Sequence, residues 1–487
     1  IMERVLSGLQ PERYFYYFEE ISRIPRSSYE EQAVSNYIVE FAKAHGLEYS
    51  QDADWNVIIN KPATPGYEDH RGIILQGHLD MVCEKEPESP IDFSKDGLML
   101  KTDGDFLYAE GTTLGGDDGI AGAYALAVLD STTIPHPPLE VILTVDEEIG
   151  LLGAAGLDMS DIRGRRLINL DNEEEGMFLT SCAGGLSLNS EVPLSTGLAE
   201  GVVCDIKVID CRGGHSGTEI DKGRANSNQL MGRVLMNLQR VTTCYIIELA
   251  GGNKDNAIPR FTEGEVLLGD VEAADEVIRS LQEEIRAEYA VTDPDITLVL
   301  EPHQTQKREA VTRQDTGKTA HILMNMPNGV QAMSADVEDL VETSLNMGVM
   351  KVEQREEGAV LRMSASVRSS KESAKNYLTD RCEAFVEQAG GNCTRTGAYP
   401  GWDYRKESPL RDTFVRKYRE LFGKEPVCEG LHAGVECGLF VGKVPDMDCI
   451  SLGPDMSGVH TAQETLSVPS TQRNWKLLLA VLADKQK

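Results

Sequence analysis

Ile73-Ile74-Leu75-Gln76-Gly77-His78-Leu79-Asp80 is a short apolar run that ends in polar residues, and the same pattern recurs along the N-terminal part of the chain. Similar runs lie at 57–59, 141–145 and 167–170. Their short length and their β-branched or leucine content predict buried strands. An alanine-rich segment at 119–129, preceded by Gly115-Gly116-Asp117-Asp118, predicts a helix between two of these strands. A strand, a helix and a further strand in this order indicate an α/β domain.

The pattern changes between residues 187 and 395. Segments 201–210, 261–270 and 359–366 alternate between apolar and polar residues, which predicts half-exposed antiparallel strands. Two helical patterns, at 227–239 and 273–289, predict helices that cover them. This part of the chain is therefore expected to form a separate α+β domain.

The α/β pattern flanks this segment on both sides. Residues 11–46 have apolar residues at helical spacing, and a helix at 410–421, a strand at 448–452 and a helix at 472–483 are predicted near the C-terminus. The predicted fold class is α/β, with helices around a mixed, largely parallel sheet and an inserted α+β domain. The predicted boundaries are 1–186 and 396–487 for the interrupted domain and 187–395 for the insertion.

Composition excludes some function classes. The 487 residues include 47 Lys and Arg against 79 Asp and Glu, a formal net charge of −32. So acidic a surface repels phosphate backbones and anionic lipids, which argues against nucleic-acid or membrane partners. The ten cysteines include no Cys-x-x-Cys pair, which indicates reduced thiols. Without a signal-like or membrane-spanning apolar run, the chain is expected to be soluble and cytoplasmic.

Acidic residues and histidines cluster after the predicted strands. They are His78, Asp80, Asp117, Glu147, Glu148, Asp171 and His460. Because ligands of open α/β sheets bind beyond the carboxyl ends of the strands, these clusters are expected to converge on one crevice.

The residue types in this set suit divalent metals. Imidazole and carboxylate together fit Zn, Co or Mn, and two His with three acidic ligands can hold two ions if one carboxylate bridges them. Glu147-Glu148 supplies one ligand and one general base. The glycine-rich run 111–116 lacks the Lys-Ser/Thr of a phosphate-binding loop, and the chain has no His-Glu-x-x-His motif of a single-zinc protease.

The ordered set resembles the dinuclear-zinc exopeptidases, which include peptidase T, peptidase V, carnosinase and aminoacylase. Within that group, four further segments are similar to the aminoacyl-histidine dipeptidases. They are 111–120, 171–176, 181–185 and 432–438. The resemblance implies a zinc-exopeptidase-like catalytic domain whose inserted domain serves as a lid and dimerisation domain.

The resemblance also implies residue roles at the metal centre. Asp117 would bridge two divalent ions, most simply Zn, with Co or Mn as alternatives. His78 and Asp171 would complete one site, and Glu148 and His460 the other. Glu147 would be the general base and Asp80 would orient a histidine ligand. Gly119 stands where many relatives have Lys, a departure that touches no ligand.

Three residues of the inserted domain gain implied roles as well. His215, in Arg-Gly-Gly-His-Ser-Gly, would help to polarise the scissile carbonyl, in dimeric relatives from the neighbouring subunit. Asn256 would contact the substrate, and Arg368 would hold its C-terminal carboxylate, a task that suits a planar bidentate cation. His432 and Glu436 match the subgroup without an implied role.

The expected function is therefore a metal-dependent dipeptidase that hydrolyses unblocked dipeptides, Xaa-His among them, through a metal-bridging water activated by Glu147. A tripeptidase or an N-acyl amino-acid deacylase could use the same metal site. A non-catalytic metal-binding scaffold is the alternative from another class. The expected partners are a dipeptide substrate and a second copy of the chain, in a homodimer through the lid domain.

Overall fold

Helices and short strands alternate along residues 4–485, which the computed structural model describes. Up to Cys182 the elements are α1 (Glu12–Ser22), α2 (Gln32–Ala44), β1 (Glu48–Gln51), β2 (Val57–Lys61), β3 (Ile73–His78), β4 (Leu100–Thr102), β5 (Phe106–Ala109), α3 (Gly116–Asp130), β6 (Leu139–Thr144), α4 (Leu152–Gly156), β7 (Arg166–Asn169) and β8 (Met177–Cys182).

The middle of the chain is rich in long strands. Its elements are β9 (Gly184–Leu194), β10 (Thr196–Ile209), β11 (Gly214–His215), a 3₁₀ turn (Ile220–Lys222), α5 (Ser227–Val241), β12 (Cys244–Gly251), β13 (Ala257–Ile258), β14 (Thr262–Leu268), α6 (Val271–Glu288), β15 (Thr297–Val311), α7 (Arg313–Asn325), β16 (Gly329–Met333), β17 (Val341–Gln354), β18 (Ala359–Ser369), α8 (Glu372–Gln388) and β19 (Asn392–Tyr399).

The C-terminal part returns to short elements. They are α9 (Pro409–Phe422), β20 (Val427–Leu431), α10 (Cys437–Lys443), β21 (Asp448–Ser451), β22 (Met456–Ser457), β23 (Thr465–Ser467) and α11 (Val468–Leu482).

Contacts divide the chain into two units. Unit 1 comprises the described residues through Cys182, Trp402–Gly430, and the described residues from Val435 onward. Unit 2 comprises Ala183–Gly401 and the short segment Leu431–Gly434. The domain boundaries proposed from sequence, after 186 and after 395, remain predictions.

The main sheet of unit 1 has eight strands in the order β1-β2-β6-β3-β7-β21-β8-β20. Strand β3 runs parallel to β6 and to β7, and β7 runs parallel to β21. Strands β1, β2 and β8 pair antiparallel, so the sheet is mixed with a parallel centre. The carboxyl ends of the four parallel strands consequently meet at one edge, called here the carboxyl edge.

Helix α3 anchors the core of unit 1. It packs against α1 and β3, and its residues 119–129 are all buried. Alanines on this helix allow close approach to the sheet, while Ile120, Leu126 and Val128 fill the core. Each fully buried aliphatic side chain of this kind contributes about 1.5–3 kcal/mol. The close packing fixes the start of α3, and with it Asp117, relative to β3.

The sequence pattern predicted helical structure over residues 11–46. The structure has two separate helices there. Helix α1 ends at Ser22 and α2 begins at Gln32, with an irregular segment between them. Pro25 lies in this segment, and proline lacks the N–H that a continuing helix needs and disfavours helical backbone at the preceding residue.

Unit 2 contains a nine-stranded sheet in the order β15-β10-β14-β12-β17-β18-β9-β19, with β16 paired to β17. Every pair is antiparallel, as the alternating pattern predicted. Four helices, α5 to α8, belong to this unit rather than the two predicted. The buried faces of α7 and α8 include Thr316, Thr319, Lys375 and Thr379, which conceal the apolar period from sequence reasoning.

Among residues 4–485, none of the helices combines the length and apolarity needed to cross a lipid bilayer.

Candidate metal centre

The carboxyl edge of unit 1 gathers the predicted ligands. His78 is the last residue of β3, while Glu147 and Asp171 follow β6 and β7 within three residues. His460 is carried by the loop between β22 and β23, which belong to a second, four-stranded sheet with β4 and β5. The backbone of His460 has a φ of 63°, in the left-handed region. Parallel strand ends therefore bring together side chains from distant parts of the sequence.

Asp117 lies between two histidines. Its Oδ1 is 2.9 Å from Nε2 of His78, and its Oδ2 is 3.0 Å from Nε2 of His460. The side chain of His78 is 1% exposed and that of His460 is 48% exposed. One carboxylate thus faces two imidazoles with separate oxygens, which is the arrangement that a bridging ligand requires.

Two further carboxylates extend this pair of imidazoles. Glu148 Oε2 lies 3.1 Å from Nε2 of His460, and Asp171 Oδ1 lies 3.8 Å from Nε2 of His78. Among residues 4–485, four triplets of side chains place their ligand atoms within 4.8 Å of one another. Three of them contain a histidine: His78–Asp118–Asp171, His78–Glu147–Glu148 and Asp117–Glu148–His460.

Asp80 connects the strand ends. Its carboxylate accepts the backbone N–H groups of Glu147 and Glu148, at 3.1 and 3.2 Å, and the hydroxyl of Ser28 at 2.8 Å. The same carboxylate lies 3.2 Å from Nδ1 of His78. A carboxylate at Nδ1 favours the proton on that nitrogen and leaves Nε2 free as a ligand.

Negative charge is crowded at this edge. Burial, reinforced by the charges of Asp117 and Asp118, raises the pKa of Asp171 well above its usual value. Burial and the charges of Glu436, Asp117 and Glu148 raise the pKa of Glu147 to about 8, although His78 opposes the shift. The carboxylates repel one another in the absence of a cation.

The two histidines respond in the opposite sense. Hydrogen bonds to Asp117 and Glu148 raise the pKa of His460 to about 10. Burial disfavours the charged form of His78, but Asp117 and Asp80 outweigh it and raise its pKa. In turn, the two histidines overcome the effect of burial on Asp117 and lower its pKa.

This donor set fits divalent cations. The cluster combines imidazole nitrogens with several carboxylates, and burial together with neighbouring carboxylates raises the pKa of Glu147 and of Asp171. Two cations, one on each side of Asp117, would supply positive charge and occupy both Nε2 atoms.

His215 lies in unit 2, on the two-stranded ribbon of β11 and β13. Its Nδ1 accepts the backbone N–H groups of Gly217 and Thr218, at 3.3 and 3.2 Å. The ring proton is therefore on Nε2. Burial, together with the charge of Arg368, lowers the pKa of His215, so the ring is a neutral donor. Asn256 is exposed in the turn directly before β13, and its backbone carbonyl accepts the N–H of Ser216 at 2.9 Å.

Arg368 is buried on β18 in unit 2. Its Nη1 donates to Tyr399 Oη at 3.1 Å, while its Nε has no hydrogen-bond partner among residues 4–485. The neighbouring strand carries Ser344, whose hydroxyl lies 2.7 Å from Nε2 of His432. Burial and the nearby Arg368 lower the pKa of His432 to about 3. This group therefore has one permanent cation beside neutral hydrogen-bonding side chains.

Glu436 belongs to unit 1, although His432 belongs to unit 2. It is fully buried, and its Oε2 accepts from Gln76 Nε2 and from the hydroxyl of Thr144. Burial raises its pKa to about 7. The two side chains therefore have different hydrogen-bond partners, which are Ser344 for His432 and Gln76 and Thr144 for Glu436.

Several residues near the metal centre were not predicted. Asp118 is buried and accepts the N–H of His78, although only its neighbour Asp117 was assigned a role. Glu31 and Asp146 form a triplet with Asp80, and burial raises the pKa of Glu31 to about 8. Glu464 and Arg26 also contact the ligand-bearing loops, and no local pattern in the sequence distinguishes them.

The histidines without a motif lie outside the triplets found among residues 4–485. They are His45, His70, His136, His303 and His321.

Comparison with known proteins assigns the family. The family model described as "Peptidase family M20/M25/M40" matches residues 74–484. The chain belongs to this peptidase family. It is 36% identical over 484 residues to the cytosol non-specific dipeptidase of Escherichia coli strain K12, covering 98% of this chain and 99% of that protein.

Solved structures agree with this M20/M25/M40 assignment. The aminoacylhistidine dipeptidase of Vibrio alginolyticus superposes with a TM-score of 0.91 at 35% identity, over 99% of this chain and 98% of that one. Aminopeptidase PepT from Bacillus cereus shares the fold alone, with a TM-score of 0.56 at 16% identity over 98% of both chains. The resemblance inferred from sequence and the α/β fold class with an inserted lid domain are thereby confirmed.

The metal-free protein should lose stability as the pH rises from about 5 to about 9. Glu31, Glu147 and Glu436 bind protons more tightly folded than unfolded, so their contribution is full below pH 4.5 and is lost through pH 7 to 8. His460 acts in the same direction between pH 6.5 and about 10. Thermal unfolding of chelator-treated protein across this range measures the effect.

Glu436→Gln, which is neutral at every pH, should flatten this decline by roughly 3 kcal/mol, since one pKa unit corresponds to 1.36 kcal/mol. An equally steep decline in the variant would contradict the assignment. Excess divalent metal serves as the control, because metal binding to deprotonated ligands should reverse the trend.

Proposed function

We propose that this chain is a metal-dependent dipeptidase that hydrolyses unblocked dipeptides, Xaa-His dipeptides among them. The observation that carries the proposal is Asp117, whose two oxygens face the Nε2 atoms of His78 and His460 beside the carboxyl of Glu147. Membership of the peptidase family and similarity to two proteins named as dipeptidases support this reaction.

Two divalent ions are the proposed cofactors, Zn first, with Co or Mn as alternatives. His78, Asp117 and Asp171 would hold one ion, and Asp117, Glu148 and His460 the other. When bound, the ions supply Lewis acidity that lowers the pKa of water and stabilises negative charge on a substrate oxygen. Asp80 holds the His78 ring and the backbone of Glu147 and Glu148 in place for them.

Glu147 is the proposed general base. Its carboxylate takes the proton of the water that attacks the peptide carbonyl carbon. It then delivers that proton to the nitrogen of the leaving amine as the C–N bond breaks.

Unit 2 supplies the proposed substrate contacts. His215 presents a neutral Nε2–H, which can donate to the carbonyl oxygen as negative charge develops there. Arg368 has an unpaired Nε–H in a buried setting, which suits the C-terminal carboxylate of a dipeptide. Asn256, in the turn directly before β13, is proposed as a further substrate contact.

The proposed setting is the cytoplasm, and the proposed assembly is a homodimer through the lid domain. Similarity to a protein named as a cytosol dipeptidase supports the first. The Gly-Gly-His-Ser-Gly context of His215, which resembles that of dimeric relatives, supports the second.

Glu147→Gln should lower kcat on dipeptides by about 10²-fold or more, because general base catalysis contributes 10²–10⁴-fold. Its metal content should match that of the wild type, since Glu147 is not a proposed ligand. Steady-state rates on a panel of dipeptides, tripeptides and N-acyl amino acids, with metal analysis, measure both. The control is Glu40→Gln, which makes the same change at an exposed glutamate on α2. Near-wild-type turnover at full metal occupancy would refute the base assignment, and preference for acylated amino acids or tripeptides would refute the substrate class.

Arg368→Met should raise KM for dipeptides and lower kcat/KM by about ten- to hundredfold, because hydrogen bonds to charged groups contribute about 1.5–3 kcal/mol. Dipeptides with an amidated C-terminus should be little affected. The control is Arg362→Met, on the same strand but paired with Glu191 near the surface. Equal losses on free and amidated dipeptides would show that Arg368 does not bind the carboxylate.

Mixed dimers test whether His215 serves the neighbouring subunit. His215→Ala and Glu147→Gln homodimers should each be nearly inactive with metal retained. A purified dimer of one subunit of each kind should recover about half the wild-type activity, since one of its two sites is complete. No recovery, or a fully active monomer in light scattering, would contradict the shared site.

A further inference from the structure

Arg26 is a buried cation that touches both ligand-bearing loops of unit 1. It lies in the irregular segment between α1 and α2 and is 2% exposed. Its Nη1 donates to the carbonyls of Leu79 and Asp80, at 3.0 and 2.9 Å, and its Nη2 donates to the carbonyl of Gly115 at 2.5 Å. One rigid guanidinium therefore joins the backbone that follows His78 to the backbone that precedes Asp117.

Glu464 binds the loop that precedes Asp117 by accepting hydrogen bonds from the backbone N–H groups of that loop. It is 2% exposed, and its Oε2 accepts from the backbone of Leu114 and Gly115, at 2.9 and 3.1 Å. Its Oε1 accepts from the N–H of Gly116 at 2.8 Å. Gly115 thus donates its N–H to a buried carboxylate and offers its carbonyl to a buried guanidinium.

Two glycines of the Gly-Gly-Asp-Asp-Gly motif leave room for this arrangement. A Cβ on Gly115, which has a φ of 64°, would lie 2.4 Å from Nη2 of Arg26. A Cβ on Gly119 would lie 2.9 Å from the same atom. Both distances are shorter than van der Waals contact, so any side chain here would displace the guanidinium.

A buried Arg and a buried Glu are expensive to desolvate and are retained where they make several hydrogen bonds. Here every such bond to Arg26 and Glu464 goes to the backbone of residues 79–80 or 114–116. Glu464 ties residues 114–116 to the loop that carries His460, and Arg26 fixes the distance between the loops that carry His78 and Asp117. That distance decides whether Asp117 faces both histidines at once.

We propose that Arg26 and Glu464 are positioning residues that pre-organise the two-metal centre. Arg26 holds residues 114–116 against residues 79–80, and Glu464 holds residues 114–116 against the loop that carries His460. The proposal rests on the metal-binding role proposed above for His78 and Asp117. Neither Arg26 nor Glu464 contacts a metal or the substrate in this scheme. Both act through the backbone, before metal arrives.

Cobalt binding to the full-length, chelator-treated protein tests the proposal. Visible absorption of Co²⁺ reports the ligand field, and competition with a chelator gives the dissociation constant. Arg26→Met and Glu464→Gln should each weaken Co²⁺ binding by about tenfold or more, since partners that orient metal ligands typically contribute 10- to 100-fold. Arg26→Lys should be intermediate, because an ammonium keeps the charge but cannot reach three carbonyls with the same fixed geometry.

Two matched controls separate positioning from general loss of a buried polar group. Arg411 is a buried arginine that donates to the carbonyls of Arg405 and Lys406, at 2.7 Å each, outside the ligand loops. Glu140 accepts the backbone N–H groups of Arg163 and Gly164. Arg411→Met and Glu140→Gln should leave the Co²⁺ dissociation constant within about threefold of wild type, the range expected of sites that share no partner with the metal ligands.

In the Arg26→Met, Glu464→Gln double variant, the fold-loss of Co²⁺ affinity should be smaller than the product of the fold-losses in the two single variants, because both residues hold the same loop. Gly119→Ala keeps the test decisive if Arg26→Met does not fold. Gly119→Ala should weaken Co²⁺ binding because the new Cβ clashes with Nη2 of Arg26. Adding Arg26→Lys to the Gly119→Ala variant should restore most of the Co²⁺ affinity that the clash removes.

The outcomes distinguish this proposal from the proposed function. Wild-type protein that binds fewer than two Co²⁺ per chain would refute the two-metal centre itself. Wild-type protein that binds two, with Arg26→Met, Glu464→Gln and Gly119→Ala all within threefold of it, would overturn only the positioning role. Equal losses in the control variants would overturn it as well.

Discussion

Repulsion among carboxylates at the carboxyl edge of unit 1 is the constraint on which the rest of the site depends. Parallel strands deliver Glu147, Glu148 and Asp171 to one place, where Asp117 already lies. The protein offsets this charge with the imidazoles of His78 and His460 and with buried donors on the backbone. A site built in this way would bind cations because its own charge is unbalanced, and it would discriminate among them by the number and spacing of its nitrogens and oxygens.

The residues that sequence reasoning identified and those that it missed differ in how they act. His78, Glu147 and Asp171 follow apolar runs, so the strand pattern alone places them at one edge, whereas Asp117 follows the glycine-rich run 111–116. Arg26 and Glu464 act on backbone atoms far away in sequence, and neither side chain belongs to a periodic pattern or a motif. Helices α7 and α8 were not predicted for a related reason, since their buried faces carry threonine and lysine. Local patterns predict which side chains meet at strand ends, but not which ones hold the loops between them.

Histidines have opposite roles in the two units because their neighbours differ. In unit 1 carboxylates raise the pKa of His78 and His460, which marks them as partners of anions or ligands of cations. In unit 2 burial and Arg368 lower the pKa of His215 and His432, so these rings stay neutral. A neutral donor near a fixed cation suits a substrate that carries both a carbonyl and a carboxylate. The different protonation states of these histidines thus follow from the charges around them rather than from residue type.

The order of segments along the chain has a consequence for synthesis. Strand β21, which pairs with β7, and His460, which pairs with Asp117 from 343 residues away, are both made after unit 2 is complete. On the ribosome, unit 2 can therefore finish folding while unit 1 still lacks a central strand and one of its proposed metal ligands. Until β21 and His460 emerge, the nascent chain holds an acidic sheet without its full set of strands. The same C-terminal segment thus completes both the main sheet of unit 1 and the proposed metal centre.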